Sequence, residues 1–320
     1  MSLFRRPISF SVAIRGRAQG RGFTLVEMMV AVVILAILGL SLVVVTDNAA
    51  RMWDRGESQN QNRVRTRALL DYMGRELRVA TLAMNQGAVT TPTLQFLIDP
   101  PVGSACKYPD TIFWQAPIAS DDHSLGNIAE IGYFVRWGAD NHANLCRYFV
   151  NPTTVVTGTI TSNPNYLIYS AASGAWVFGG TANPPDSSTG TAGSLDTVAP
   201  ANALNNYQGL FLENVLGLWV QAYDIKGTLL TNPYDSSNPP SSLHALPAYL
   251  VLSVVMLSNG SANRLAINSS AIATIKGLYT STTDAPSFLA AVRSPANNIP
   301  VTITSGASIS SIQVSLDNYK

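Results

Sequence analysis

The first long pattern along the chain is an almost uninterrupted apolar run. From Phe23 to Thr46 the only charged residue is Glu27. At ~1.5 Å per residue, roughly 20 such residues make a helix that crosses a hydrocarbon core. No proline occurs from Phe23 to Met84, so helical pattern continues past the apolar run. Between Arg63 and Leu82 it becomes amphipathic. Leu69, Met73, Leu77 and Ala80 recur at helical spacing, with Leu70 and Val64 assigned beside them. Arg65, Arg67, Asp71, Arg75 and Arg78 fill the other positions. Gly39 and Gly56 are the weak points of this helix.

Beyond residue 90 the period changes. Strands are predicted at Thr93–Ile98, Thr111–Trp114, Ile128–Trp137, Leu145–Val150, Tyr166–Ser170, Ala175–Phe178, Val215–Asp224 and Tyr249–Leu257. Gly138 to His142 reads as a hairpin loop, and Asp224 to Gly227 as a turn. Residues 151–206, rich in Thr, Asn, Ser, Gly and Pro, read as a loop insertion, and Thr231–Ser242 as a second loop. Short helices are expected at Leu265–Leu278 and Ala285–Val292, and an edge strand over Val301–Val314. The expected class is α+β: a long N-terminal helix packed on an antiparallel sheet. Residues 1–22 precede the helix, 23–46 form its membrane-crossing part, 47–84 its amphipathic continuation, and 85–320 a β-rich head.

Charge sharpens this division. The 320 residues carry a formal net charge of +1, with only 12% charged residues. The total hides an asymmetry. Arg5, Arg6, Arg15, Arg17 and Arg21 precede the apolar run with no acid among them. That is the distribution of the positive-inside rule, with the first residues in the cytoplasm. From residue 81 onward there are eight basic and thirteen acidic side chains. A net-negative head is a poor binder of phosphate backbones, so no nucleic-acid partner is expected.

Three readings compete for the N-terminal run. A secretory signal peptide has an apolar region of roughly 7–15 residues and a small-residue cleavage site after it. This run is longer and lacks that site. A plain signal anchor accounts for the length and the arginines but not for Glu27, since a carboxylate in a membrane segment is costly without a partner or a function. The third reading accounts for every part. Arg21-Gly22-Phe23-Thr24-Leu25-Val26-Glu27 resembles the cleavage and methylation signal of type IV prepilins and type II secretion pseudopilins. The resemblance implies a cut after Gly22 by prepilin peptidase, N-methylation of the new first residue Phe23, and an assembly role for Glu27. Cleavage would place a positive α-amino group near Glu27, on the same chain or on a neighbour. The partners implied are the peptidase, other pilin or pseudopilin subunits and the bacterial inner membrane, with the head in the periplasm.

The distal sequence carries a second resemblance. Glu130 to Trp137, Asn144 to Phe149, Glu213 to Val220 and Leu246 to Val254 resemble Verru_Chthon cassette protein C, a group of prepilin-signal proteins. Arg75-Glu76-Leu77-Arg78 and Leu246-Pro247-Ala248 are similar to elements of J-type minor pseudopilins. Together these imply a minor filament subunit of a type II secretion-like machine, at a tip or in initiation. A minor type IV pilin for adhesion, motility or DNA uptake is the alternative. A membrane-anchored periplasmic enzyme is the alternative of another class.

No Gly-rich phosphate loop, HExxH or GxSxG motif occurs, so no enzyme is expected. Asp121-Asp122-His123 reads as a polar turn before it reads as a metal cluster. No cofactor is expected. Asp224 is a candidate calcium ligand, but no loop has the dense carboxylates calcium takes. Cys106 and Cys146 are a candidate disulfide on the far side of a membrane segment. Two buried thiols in different strands is the other reading, and spacing alone does not choose. Asn259-Gly-Ser and Asn268-Ser-Ser match a glycosylation acceptor pattern that is read as accidental.

Overall fold

The computed structural model describes residues 24–82, 94–100, 108–118, 128–138, 140–150, 155–156, 159–160, 168–170, 175–176, 207–236 and 246–316. The chain divides into two compact units, Met1–Asp54 and Arg55–Lys320. The helix α1, Leu25–Arg78, belongs partly to each.

In the first unit α1 buries nothing. Its leucines, valines, isoleucines and methionines are all more than half exposed. The polar side chains within it satisfy themselves. Ser41 Oγ donates to Leu38 O at 2.8 Å and Thr46 Oγ1 to Leu42 O at 2.9 Å. Such back-bonding is how a hydroxyl is carried in an apolar helix. Arg51 and Asp47 pair at 2.9 Å, one turn apart.

In the second unit α1 has one inward face. Leu69, Leu70, Met73, Leu77 and Ala80 are buried as the spacing requires. Val64 is 63% exposed, contrary to expectation. At ~100° per residue it lies across the helix from Met73 and Leu77. The helix ends at Arg78, short of the expected Met84, with Ala80 N–H donating to Leu77 O at 2.9 Å.

The strands are β1 (Phe96–Ile98), β2 (Ile112–Ala116), β3 (Ala129–Trp137), β4 (Ala143–Val150), β5 (Val155–Val156), β6 (Thr159–Ile160), β7 (Tyr169–Ser170), β8 (Ala175–Trp176), β9 (Tyr207–Leu212), β10 (Val215–Tyr223), β11 (Tyr234–Asp235), β12 (Tyr249–Leu257) and β13 (Ala307–Ser315). Six form one sheet in the order β11-β1-β2-β3-β4-β9, and three another, β10-β12-β13. Every ladder between these strands is antiparallel. β5 pairs with β6 and β7 with β8 as separate two-stranded pieces inside the expected insertion. β3 is buried on both faces, which its run of Ile, Tyr, Phe, Val and Trp permits. The β3–β4 hairpin forms as expected: Gly138 N–H donates to His142 O at 2.9 Å, and Asn141 takes a left-handed φ of 63°.

Four strands escaped the sequence, among them the short pair β5 and β6 inside the stretch read as a loop insertion. β9 follows directly on the loop-like composition of 151–206, and β11 lies inside the stretch read as a loop. β11 has only two paired residues, Leu97↔Asp235 and Ile98↔Tyr234, too few to show a period. The expected strand over Val301–Val314 divides. Residues Val301–Thr304 form a helical turn, α5, that buries Ile303 and Thr304, and β13 starts only at Ala307. Here packing overrides the β preference of Val-Thr-Ile-Thr.

The region after β12 is helical: α2 (Asn259–Ala266), α3 (Ser269–Leu278) and α4 (Ala285–Arg293). α2 was not foreseen. Each helix is capped by the residue before it. Ser258, Asn268 and Asp284 accept from the N–H groups of Ser261, Ala271 and Ser287. Asn268 of the glycosylation-like pattern is therefore an N-cap, and Asn259 is the first residue of α2.

Candidate functional site

The first turn of α1 is built by a reciprocal cap. Thr24 Oγ1 accepts from Glu27 N–H at 3.2 Å, while Glu27 Oε2 accepts from Thr24 N–H at 2.9 Å and from Thr24 Oγ1 at 3.1 Å. This is the capping box of a Thr-x-x-Glu sequence, and it satisfies N–H groups that a helix start leaves open. The carboxylate also lies at the positive end of the helix dipole. Glu27 therefore sits at the helix tip with its charge turned toward Thr24. Gly22 and Phe23, the expected cleavage and methylation positions, lie outside the described residues.

The stretch Leu25–Trp53, with Glu27 in its first turn, is long and apolar enough to cross a membrane. What it can do chemically is limited and clear: it offers one carboxylate at its start and an unpartnered apolar surface beyond it.

The second unit holds a cluster the sequence did not reveal. Glu76 projects from the inward face of α1, and its side chain is only 6% exposed. It pairs with Arg147 of β4 through Arg147 Nη2 and Glu76 Oε1. Tyr133 Oη of β3 donates to Glu76 Oε2 at 2.5 Å, and Arg147 Nε lies 3.4 Å from the same oxygen. The guanidinium rests 4.6 Å from the Phe149 ring centre and 5.6 Å from that of Tyr72. Burial, then the Glu76 carboxylate, holds the Tyr133 hydroxyl well above the usual tyrosine range. Burial works most strongly against the Arg147 charge, but its hydrogen bonds to Glu76 and the attraction of Tyr133, Glu76 and Tyr72 together outweigh it and keep the guanidinium above its ordinary value. One signal was available: Glu76 falls three residues after Met73 and four before Ala80, on the apolar face. In the sequence, Arg75-Glu76-Leu77-Arg78 carries only the resemblance to J-type pseudopilins and no sign of this pairing.

The remaining expected sites are quickly placed. Cys146 is buried in β4, opposite Phe134 and Leu210, and Cys106 lies outside the described residues. Asp224 Oδ1 accepts from Lys226 N–H at 2.8 Å and Thr228 N–H at 2.7 Å, so its carboxylate staples a turn. The Thr228 hydrogen bond in particular holds that carboxyl below its usual range. Asp121, Asp122 and His123 lie outside the described residues. Among the described residues no three His, Cys, Asp or Glu side chains form a metal-holding group.

Residues 17–43 match the prokaryotic N-terminal methylation motif. The match spans Gly22, Phe23 and Glu27 and ends within the apolar half of α1. No curated protein matches the chain. The motif, the apolar helix and the antiparallel sheet support a type IV pilin or pseudopilin-type subunit. The motif implies processing by prepilin peptidase and assembly with other pilin subunits. The apolar helix and the motif are also consistent with single-pass anchoring in the inner membrane.

Proposed function

We propose that this chain is a structural minor pseudopilin-like subunit, cut after Gly22, methylated on Phe23 and assembled into a periplasmic filament of the type II secretion kind. The carrying observation is Glu27: one carboxylate, capping the first turn of an otherwise uncharged span, inside the methylation motif. In the cut chain the α-amino group of Phe23 lies one residue before this cap. A carboxylate entering an apolar filament core needs a cation. An amine of the same or a neighbouring subunit supplies it, and subunits staggered wrongly leave the carboxylate unpaired. A bulky α+β head with a six-stranded and a three-stranded sheet suits a tip or initiation position better than a high-copy shaft. The distal resemblance to Verru_Chthon cassette protein C and J-type pseudopilins supports the minor-subunit reading. The acidic excess beyond residue 81 argues against a DNA-uptake pilin.

Mass spectrometry of the chain from cells with and without prepilin peptidase tests this. With peptidase, the expected product starts at Phe23 and carries one extra methyl group. The Glu27→Ala variant is expected to be cut normally but to enter filaments at least tenfold less. An intact N-terminus in peptidase-positive cells removes the proposal, and normal incorporation of the variant removes the pairing role.

A further inference from the structure

The inward face of α1 in the second unit repeats itself. Leu69, Met73 and Leu77 follow at four-residue steps, all buried. Leucine and methionine exchange readily in cores because their volumes match. A slide of the helix by one turn would therefore put Met73 at the Leu69 site and Leu77 at the Met73 site, while Gly74 would come to the Leu70 site and Thr81 to the Leu77 site. Apolar burial has no direction, and it chooses between the two positions only through Leu70 and Leu77. Gly74 would accept a Cβ, which meets Val314 Cγ2 at 3.4 Å and Ile312 Cδ1 at 3.8 Å, but a slip would bring the longer Arg78 side chain to that place. Thr66 chooses weakly: its hydroxyl bonds its own helix at Asn62 O, 2.7 Å away, and meets β12 only at the weak acceptor Met256 Sδ, 2.6 Å away.

Glu76 differs from all of these. Four residues to either side stand Tyr72 and Ala80, and neither can replace a carboxylate. Both its oxygens are engaged, one by Arg147 and the other by Tyr133. Arg147 cannot follow a sliding partner, because the Phe149 and Tyr72 rings flank it and its backbone is fixed opposite Tyr133 and Gly209. A slipped helix would leave one buried carboxylate and one buried guanidinium without each other, the costly outcome for a desolvated pair. We infer that the Glu76–Arg147 pair is the register lock of α1 on the sheets: it adds little net stability and rejects packings displaced by one helical turn. This inference is independent of whether the chain enters a filament.

The test separates register from stability in the full chain. Gly74→Cys with Val314→Cys reports the native register by disulfide formation. Arg78→Cys with Val314→Cys reports a one-turn slip, and peptide mass identifies the joined positions apart from the native cysteines. With Glu76 and Arg147 intact, the 74–314 disulfide should form at least tenfold more completely than the 78–314 one. In a Glu76→Leu/Arg147→Met background, unfolding should stay cooperative while the 78–314 product rises at least tenfold. Should that double variant not fold, Glu76→Gln keeps the shape without the charge, and the same product should rise severalfold. A folded neutral variant that still joins only 74 to 314 overturns the inference. So does failure of both variants to fold, since the pair would then hold the fold up rather than choose its packing.

Discussion

Glu130 occupies β3 with its carboxylate fully buried, and neither oxygen has a hydrogen-bond partner among the described residues. Burial alone pushes its carboxyl well above the usual range. Below the unfolded-state value of about 4.3, both states hold the proton and the residue has no effect on stability. As pH rises past that point, the unfolded chain ionises freely while the folded chain keeps the proton. Stability therefore falls with rising pH until the folded carboxyl itself ionises. Glu130→Gln removes that fall. It should match the parent near pH 4 and exceed it increasingly as pH rises, by about 1.4 kcal/mol per pH unit for as long as the folded carboxyl keeps its proton. Urea midpoints between pH 4 and 8 measure this, and equal midpoints throughout would refute it. In the sequence Glu130 stands in an apolar stretch and Glu76 beside Arg75, and neither shows what it meets in the fold. One carries a built partner and the other a proton. Only the fold separates them, because Arg147 lies 71 residues from Glu76.

Elements were legible where a short window decides them. The apolar run, the inward face of α1, the β3–β4 hairpin and the turn at Gly227 follow from local period and turn chemistry. β9 and β11 did not, since they exist through their partners. The helices after β12 lie between: α3 and α4 show a face, whereas α2 begins in Asn-Gly-Ser and declares itself only through the Ser258 cap. Caps also give these short helices a measurable dependence. Asn268 Oδ1 accepts from Ala271 N–H at 3.0 Å. Asn268→Ala should cost about 1 kcal/mol and Asn268→Asp a few tenths at most, read from thermal or urea unfolding. Equal losses for both would show that the side chain acts by something other than its oxygen.

At the scale of the molecule, the boundary between Asp54 and Arg55 separates two kinds of chain. The first unit has no buried side chains among its described residues, and the second contains the sheets and the whole core cluster. A chain of residues 55–320 is therefore expected to fold alone, unfold in one cooperative step and stay in aqueous buffer. The longer chain from Phe23 should need detergent. Circular dichroism melting and ultracentrifugation decide it, and a fragment that melts without cooperativity would place essential packing in the missing helix. The N-terminal part of the function was readable because a membrane span and its signal are contiguous. The head's contribution was not, because it lies in contacts between distant strands.

The bare helix over Leu25–Trp53 also fixes how such a subunit can travel. Each Val, Leu, Ile or Met moved out of water gains about 1.5–3 kcal/mol. Summed over this helix, that exceeds the stability of an ordinary domain. A free monomer in bulk water is thus never an intermediate. The subunit can only pass sideways, from one oily phase into another that touches it. A filament built this way must be fed at its base, and a subunit that leaves it returns to the bilayer. Lateral density in the membrane, not solution concentration, would then set how fast the structure grows.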